Sequence, residues 1–199
     1  MSSTNRGSKR SPADNYPTPP HCVRRLLESP IDLPGGTWYE PCAGAGAIID
    51  AVDHFRVAND QFRLDWIATD IREEAIDSVR KLPLSFVQEA YCQSALDPFP
   101  VPVTPDVVIT NPPFHMAYEL LMHWMQTYPT SHIVLLLRVN FLSSAVRQPF
   151  MSKYPPDTYV LPQRPSFVGD GKTDSPEYGW MHWGPAPRMR EYGRLRVLG

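Results

Sequence analysis

The sequence predicts an α/β domain built around a mostly parallel β-sheet. Short runs rich in β-branched and aromatic residues alternate with segments of helical period, and the connections between them are short. Residues 131–139 (SHIVLLLRV) form an almost continuous apolar run, as expected of a parallel strand covered on both faces. Three polar residues, Glu40, Asp70 and Asn111, end or directly follow predicted strands. Such sheets bind ligands beyond the carboxyl ends of their strands, so these side chains should meet in one crevice.

The first half of the chain predicts a helix followed by two strand–helix units. Residues 21–28 carry apolar side chains on one helical face, with Pro20 near the start. Strands are predicted where β-branched and aromatic residues cluster, and helices where apolar residues recur at helical spacing or follow a glycine-containing turn. The predicted strands are 37–40 (TWYE) and 65–71 (DWIATDI), and the predicted helices are 47–52 and 72–82.

The second half continues this alternation and then changes to strands alone. Apolar runs bounded by proline or polar residues predict strands, and the apolar spacing of HMAYELLMHWMQTY predicts a helix. The last two strands should form a terminal hairpin. The predicted strands are 84–88, 106–110, 131–139, 158–161 and 178–183, and the predicted helices are 115–128 and 143–154.

Length and composition indicate one ordinary globular domain. The chain has 199 residues, of which 42% are apolar and 20% are charged. We predict a disordered tail over 1–15, a single domain over 16–184 and a basic tail over 185–199. The net charge of −2 gives no overall basic signature of a nucleic-acid binder.

Composition also disfavours several classes of protein. No apolar run reaches the roughly 18 residues that span a bilayer, and the polar N-terminus lacks a secretory apolar segment, so no membrane partner is expected. The cysteines are odd in number without paired spacing, which indicates reduced thiols in the cytoplasm. The histidines have no partners at metal-ligand spacing, so no metal site is expected. These residues are Cys22, Cys42 and Cys92, and His115, His123 and His132.

A loop of small residues, EPCAGAGAI over 40–48, follows the first predicted strand. Small residues let the backbone pass close to a ligand, and the next helix offers free N–H groups at its N-terminus. Gly44 and Gly46 lack the third glycine of the dinucleotide-binding fingerprint. The carboxylate of Asp70 suits two ribose hydroxyls, because it can accept a hydrogen bond from both. The alternative interpretation is a tight structural turn with an ordinary helix-capping Asp.

The tetrapeptide Asn111-Pro112-Pro113-Phe114 directly follows the apolar run 106–110. Two prolines fix φ and remove two N–H donors, so the Asn111 side chain and the Pro112 carbonyl remain as acceptors at the strand end. Two acceptors on the N–H groups of a conjugated exocyclic amine favour a tetrahedral nitrogen whose lone pair can attack. The Phe114 ring could stack on the ring that carries the amine, worth roughly 1–3 kcal/mol per base. The alternative interpretation is a structural turn with a core phenylalanine.

Together these motifs resemble those of the S-adenosylmethionine-dependent amino-methyltransferases, especially the small adenine-N6 DNA methyltransferases of phages and prophages. The resemblance covers residues 16–183 and keeps the family's order: YPTPP at 16–20, EPCAGAGA at 40–47, ATDI at 68–71 and NPPF at 111–114. It implies a Rossmann-like class I methyltransferase fold, with a doubly wound, mostly parallel sheet and a C-terminal antiparallel hairpin. It also implies S-adenosylmethionine as cofactor, in the cytoplasm of a bacterium or a phage-infected host.

The resemblance assigns roles to individual residues. Asn111, Pro112, Pro113 and Phe114 would be catalytic. In that family the YPTPP motif lies beside the methionine end of the cofactor, the acid binds the ribose and the next residue packs against the adenine. The residues expected to bind the cofactor are Tyr16, Thr18, Pro19, Glu40, Pro41, Cys42, Ala43, Gly44, Gly46, Asp70, Ile71, Ser94 and Asn111.

Residues 164–183 resemble the family's late loop and hairpin. Phe167 would then hold the target base opposite Phe114, and Arg164 would meet a phosphate. Alternatively, Phe167 belongs to the core of the hairpin. One departure concerns the acid that the family usually has after the third strand, since Ser94 stands there and Asp97 follows three residues later. Either a serine and backbone groups contact the cofactor's adenine, or the motif lies in another register.

The implied activity is methyl transfer to the N6 amine of adenine in DNA, with the base extruded into the NPPF pocket at a cost of a few kcal/mol. RNA adenine-N6 or guanine-N2 methylation is an alternative, and so is a non-catalytic module of the same fold that binds nucleic acid or a partner protein. Phe114 disfavours protein glutamine methylation, whose enzymes usually carry tyrosine there. No sizeable insertion resembles a target-recognition domain, so we expect short target sequences, relaxed specificity or a partner subunit.

Overall fold

A computed structural model of the chain describes residues 17–61, 63–82, 86–99, 103–167, 173–186 and 192–199. The helices are α1 (Pro20–Leu27), α2 (Ala47–Ala58), α3 (Glu73–Val79), α4 (Ala117–Thr127) and α5 (Gln148–Lys153), with a short 3₁₀ helix at Val139–Leu142. The strands are β1 (Thr37–Glu40), β2 (Asp65–Asp70), β3 (Phe86–Cys92), β4 (Val107–Thr110), β5 (His132–Arg138), β6 (Asp157–Val160), β7 (Tyr178–Trp183) and β8 (Leu195–Val197).

All eight strands belong to one sheet, in the order β3-β2-β1-β4-β5-β7-β6-β8. The first five strands pair in parallel, because a helix or a longer connection returns the chain to the same end of the sheet each time. β7 is antiparallel to both β5 and β6, which confirms the predicted hairpin. The carboxyl ends of β1, β2 and β4 therefore lie at one edge of the sheet, and the polar residues at those ends lie there too.

Helices cover both faces of the sheet, so its strands alternate between two cores. Trp38 of β1 faces the core formed with α1 and α2, whereas its neighbour Tyr39 faces the core formed with α4 and α5. β5 is buried along six of its seven residues, as its apolar run predicts. The Trp180 indole of β7 donates a 2.9 Å hydrogen bond to the Cys22 carbonyl, which fixes α1 against the sheet. The predicted α/β doubly wound fold is confirmed.

Several boundaries differ from the sequence prediction. α2 continues six residues beyond 52 to Ala58, and β3 runs to Cys92 rather than 88. The predicted helix over 143–154 is reduced to α5, which follows the 3₁₀ helix. β8 was not predicted at all: it lies within 185–199 and pairs in parallel with β6. The predicted tail over 1–15 lies outside the described residues, as do residues 187–191 of the C-terminal segment.

In the part of the chain that the structure describes, no helix is long and apolar enough to cross a bilayer.

Candidate active site

A cavity of about 210 Å³ lies at the carboxyl edge of the parallel strands, and we call it the main cavity. Its walls come from the residue pair before α1, the loop from β1 to α2, and the ends of β2, β3 and β4. The structure thus brings most of the predicted cofactor residues together. Those that line it are Thr18, Glu40, Pro41, Cys42, Ala43, Gly44, Asp70, Ile71, Ser94 and Asn111, with Pro113 of the tetrapeptide.

Other predicted residues lie outside the lining. Pro19 is the N-cap residue of α1 and Pro112 is buried, and neither is in the lining of the main cavity. Gly46 adopts a left-handed conformation with φ of 81° before α2, and an added Cβ would come within 2.6 Å of Leu82. Glycine is therefore needed at position 46 for backbone shape and packing. Tyr16 lies outside the described residues.

The loop from β1 to α2 is tied to the end of β2 by hydrogen bonds. The Ala43 N–H donates to the Thr69 carbonyl at 2.9 Å, and the Thr69 hydroxyl donates to the Pro41 carbonyl at 3.1 Å. Tyr39 and Thr69 also share a 2.9 Å hydroxyl–hydroxyl hydrogen bond. These bonds join residues about thirty positions apart in sequence, so the loop is held in place before any ligand arrives.

Glu40 ends β1 as a buried carboxyl with only 2% of its surface exposed. Burial raises its pKa well above 4.5, the nearby Asp70 carboxylate raises it further, and a hydrogen bond from the Ile49 backbone opposes the shift. Its Oε2 atom has no hydrogen-bond partner among the described residues. A buried oxygen of this kind, in a cavity wall, is suited to a cationic N–H donor on a ligand.

Asp70 ends β2 and accepts hydrogen bonds from both sides. Its Oδ2 accepts from the Gly44 N–H at 2.8 Å and from Arg72 Nη2 at 3.1 Å. Its Oδ1 accepts from the Arg72 N–H at 3.1 Å and from Arg72 Nε at 2.9 Å. Asp70 and Arg72 thus form a bidentate ion pair inside the cavity wall, and this pair was not foreseen from the sequence.

Ser94 lines the main cavity next to Ala95, at the position where the family resemblance places an acid. Its hydroxyl accepts a hydrogen bond from the Leu96 N–H at 3.2 Å. The Asp97 carboxylate accepts from the Ser94 N–H at 3.2 Å and is not in the cavity lining. The turn after β3 therefore presents a serine and backbone to the cavity, while Asp97 stabilises that turn.

The tetrapeptide lies where β4 meets the main cavity. Asn111 and Pro113 line it, and the Pro113 carbonyl accepts a 3.0 Å hydrogen bond from the Met116 N–H just before α4. Val107 to Thr110 are fully buried, so the sheet holds the start of the tetrapeptide rigidly. Asn111 thus lies in the wall of the main cavity, three residues before Phe114.

Phe114 belongs to a cluster with Arg138, Asp174 and Tyr178, which we call the Phe114 cluster. The Arg138 guanidinium carbon lies 4.5 Å from the centre of the Phe114 ring, in a cation–π contact. Arg138 Nε donates to the Tyr178 hydroxyl at 3.1 Å, and that hydroxyl donates to Asp174 at 2.6 Å. The Phe114 ring is thus bordered by a guanidinium that two other side chains hold.

Phe167 and Arg164 contact Tyr178 and Glu177 in this structure. Phe167 is buried in the core and packs edge-on against Tyr178, with ring centres 5.1 Å apart. Tyr178 also contacts Phe114 at 5.8 Å, so one tyrosine touches both phenylalanines. Arg164 forms an exposed 2.7 Å ion pair with Glu177. The predicted contacts of Phe167 with a base and of Arg164 with a phosphate stay predictions.

Cysteine and histidine chemistry is not supported in the described part of the chain. Burial is the largest of the influences that raise the pKa of the Cys42 thiol, which keeps it neutral and makes it a packing residue of the loop. His132 hydrogen-bonds to His182 at 2.8 Å, beside a second polar cavity at the opposite edge of the sheet. No group of three or more metal-binding side chains occurs among the described residues.

Several lining residues were not named among the predicted site residues, although Pro17, Ala45 and Ala47 lie within the motifs at 16–20 and 40–47. Arg72 could have been found, because it stands two residues after an acid that ends a strand. The others are apolar or small and carry no chemical signal of their own. They are Pro17, Ala45, Ala47, Ala95, Met116 and Leu120.

A cavity at the carboxyl edge of a doubly wound sheet, with an acid after the second strand, places the chain among the α/β folds that bind nucleotide-like ligands. Among these folds, an antiparallel β7 between β5 and β6 is typical of the class I methyltransferase fold. No protein-family model and no curated protein matches the sequence. Solved structures do match, and they share this fold.

Three solved structures illustrate the similarity. A modification subunit of a proposed type I restriction enzyme from Vibrio vulnificus superposes with a TM-score of 0.63 at 12% identity, over 90% of this chain and 45% of its own. A proposed class I S-adenosylmethionine-dependent methyltransferase from Listeria monocytogenes gives 0.54 at 11%, over 90% and 62%. A proposed RNA methyltransferase from Pyrococcus horikoshii gives 0.58 at 15%, over 90% and 93%. This chain therefore spans less than two thirds of the first two.

Proposed function

We propose that this protein is an S-adenosylmethionine-dependent methyltransferase that acts on the N6 amine of adenine in DNA. The observation that carries the proposal is the position of Asn111 and Pro113 at the wall of a cavity that also holds Glu40 and Asp70. A tetrapeptide suited to an exocyclic amine thus borders a site suited to an amino-acid-bearing nucleoside. The similarity in fold to methyltransferases supports the same class of reaction.

The lining residues fit S-adenosylmethionine. The unpartnered Glu40 oxygen suits the ammonium of its methionine part, and the positive charge would favour the ionised carboxyl. Asp70 suits the ribose hydroxyls. Ile71, which is 67% exposed, offers an apolar surface for the adenine ring, and Ser94 with its neighbouring backbone borders the same part of the cavity. Bound there, the cofactor supplies an electrophilic methyl group on a sulfonium.

The chain itself orients and activates the acceptor. The Asn111 side chain and the Pro112 carbonyl accept from the two N–H groups of the amine, which localises the nitrogen lone pair for attack. Phe114 holds the ring that bears the amine in a stack. The nitrogen gives up its extra proton only after the new N–C bond has formed, so these residues need no titratable base before the attack.

An RNA base is the second candidate substrate. One of the similar folds belongs to a proposed RNA methyltransferase, and neither the tetrapeptide nor the Phe114 ring distinguishes the sugar. DNA is favoured by the resemblance of the motif set to phage adenine-N6 enzymes, and by the similarity of the fold to a modification subunit.

Radiolabelled methyl transfer tests the proposal. The purified protein is incubated with labelled S-adenosylmethionine and, separately, adenine-unmethylated genomic DNA, total bacterial RNA and a protein extract. Digestion and mass spectrometry then identify the methylated nucleoside. We expect N6-methyladenine in DNA, and about 10²–10³-fold slower formation of it with the Asn111→Ala variant. Label confined to RNA or protein would overturn the DNA assignment. Binding of S-adenosylhomocysteine without any transfer would favour a non-catalytic module.

A further inference from the structure

The Asp70 carboxylate has no acceptor site left for a ligand in this structure. A carboxylate offers about four lone-pair positions, two on each oxygen. Here four N–H donors occupy them: two on Oδ1 and two on Oδ2, at 2.8–3.1 Å. A ribose diol would add two O–H donors to the same carboxylate. The ribose contact expected of Asp70 therefore conflicts with the contacts already present.

The four donors are of two kinds. The Gly44 and Arg72 backbone N–H groups belong to the loop and to the turn after β2, so they remain when a side chain moves. The other two, Nε and Nη2, belong to the Arg72 guanidinium. That guanidinium thus provides one donor to each oxygen, which is the number and placement that a ribose diol would provide.

We infer that the Arg72 side chain occupies the place of the ribose diol in the ligand-free protein and must leave Asp70 for the cofactor to bind. Arg72 thereby lowers the affinity for ligands that carry both hydroxyls. The inference rests on the proposed function, because it takes the cofactor to be a nucleoside bound at Asp70. It adds a residue that sets the affinity of this site.

Arg72 has a way out of the pocket. It lines the main cavity and its side chain is 22% exposed, against 7% for Asp70, so the guanidinium lies on the solvent side of the pair. Glu74, an exposed residue of the first turn of α3, interacts electrostatically with Arg72 and is an alternative partner nearby. Asp70 itself is held by backbone donors and stays in position for the incoming hydroxyls.

The charge balance gives Arg72 a role while no ligand is bound. Without a ligand, removal of the guanidinium would leave Asp70 uncompensated close to the buried Glu40 carboxyl, whose pKa is raised by burial and by Asp70. Arg72 neutralises Asp70 until the ligand's own donors take over. The cost falls on affinity, because part of each ribose hydrogen bond only replaces one that was already made.

Calorimetry on an Arg72→Met variant tests the inference. S-adenosylhomocysteine should bind roughly three- to tenfold more tightly to the variant than to the wild type, since no ion pair has to be broken. In competition with S-adenosylhomocysteine, adenosine should show the same gain. The analogue 2′,3′-dideoxyadenosine, which has no hydroxyls for Asp70, should show no gain. Hydroxyl dependence separates this role from a general effect on stability or charge.

Arg80→Met is the matched control. Arg80 follows the same helix, bonds Glu73 and Asp77 on the surface and is not in the cavity lining. The Arg80→Met variant loses the same charge as Arg72→Met and should bind all three ligands with the affinity of the wild type. If Arg72→Met is poorly folded by circular dichroism, Arg72→Lys replaces it, because lysine keeps the charge but cannot donate to both oxygens as a fork.

The outcomes separate two failures. Equal affinity of the wild type and the Arg72 variant for S-adenosylhomocysteine, weaker binding by the variant, or an equal gain for 2′,3′-dideoxyadenosine would overturn the inference about Arg72 alone. No binding of S-adenosylhomocysteine by the wild type or either variant would instead overturn the proposed function, and the inference with it.

Discussion

The main cavity and the Phe114 cluster meet at one tetrapeptide, but they are built differently. In the cavity, Glu40 and Asp70 are 2% and 7% exposed and are held by backbone N–H groups of neighbouring elements. In the cluster, Phe114 and Arg138 are only half-buried, and side chains hold one another through ring and guanidinium contacts. In the first region backbone N–H groups position the carboxyls and the Arg72 side chain adds to the contacts of Asp70, whereas the second region depends on side-chain contacts alone.

This difference indicates what each region recognises. Fixed, buried carboxyls favour one ligand with donors in set positions, as expected for a cofactor shared by many reactions. A half-buried ring bordered by a guanidinium that only side chains hold can admit a flat substrate once those side-chain contacts change. If the proposed function holds, substrate choice should be easier to alter by mutation than cofactor choice.

The largest effect should come from the residue that both regions share. Asn111→Ala removes an acceptor for the reacting amine but none of the carboxyls of the cavity. We expect methyl transfer to fall by about 10²–10³-fold, the scale for loss of one positioned polar group at a reacting centre. S-adenosylhomocysteine affinity, measured by calorimetry, should stay close to that of the wild type. Asn59→Ala, on an exposed helix end, is the control, and full activity of Asn111→Ala would contradict the role given to Asn111.

Alanine at the two phenylalanines should separate substrate binding from packing. Phe167→Ala empties a core position and should lower the free energy of unfolding by about 3 kcal/mol. Phe114→Ala should cost less stability, because the ring is half-buried, but should weaken acceptor binding by about 1–3 kcal/mol. Urea denaturation and steady-state kinetics measure the two quantities. A loss of acceptor binding with unchanged stability for Phe167→Ala would place Phe167 in the substrate site after all.

Glu40 should make stability depend on pH in the main cavity. Its pKa in the folded protein is raised above 4.5, so its contribution is complete below that pH and is lost as the pH rises through the folded value. The Glu40→Gln variant has no carboxyl to ionise, so its stability does not fall in this way as the pH rises. The melting temperature of the variant should therefore gain on that of the wild type as the pH rises above 4.5 and through the raised pKa of Glu40. Glu119→Gln, at an exposed position, is the control. If the melting temperatures of the wild type and Glu40→Gln change equally with pH, Glu40 does not titrate as a buried group.

The smallest effect is expected at Arg164, which lies on the surface. Arg164→Gln breaks an exposed ion pair with Glu177 and should change the free energy of unfolding by less than about 0.5 kcal/mol. If Arg164 meets a phosphate, the variant should instead bind DNA more weakly at low salt, with a shallower salt dependence. Fluorescence anisotropy at several salt concentrations measures this, and identical salt slopes would remove Arg164 from the substrate site.

The sheet could be predicted as far as its strands carry a local signal. β5 is buried on both faces and reads as a continuous apolar run, and β2 ends in an acid at the expected place. β8 carries no such signal, because its three residues are largely exposed at the sheet edge and include Arg196. Its pairing with β6 depends on where the chain returns, which no short pattern records.

The site divides in the same way. Most of the main cavity comes from contiguous motifs at strand ends, so Glu40, Asp70 and Asn111 were found together from the sequence. The Phe114 cluster joins the end of β5 to the start of β7, which are forty residues apart at the Arg138–Tyr178 hydrogen bond. Only the antiparallel insertion of β7 makes these residues neighbours. Arg138 was missed for that reason. The contact between Phe167 and Tyr178 could not be predicted from the sequence either.

The order of these regions along the chain has an evolutionary consequence. Among the described residues, those that line the main cavity lie between positions 17 and 120, whereas the other members of the Phe114 cluster lie from position 138 onward. A lineage could therefore exchange the segment that begins at the end of β5 and leave the described lining of the main cavity unchanged. If the proposed function holds, such an exchange would alter the acceptor side of the site and keep its cofactor side.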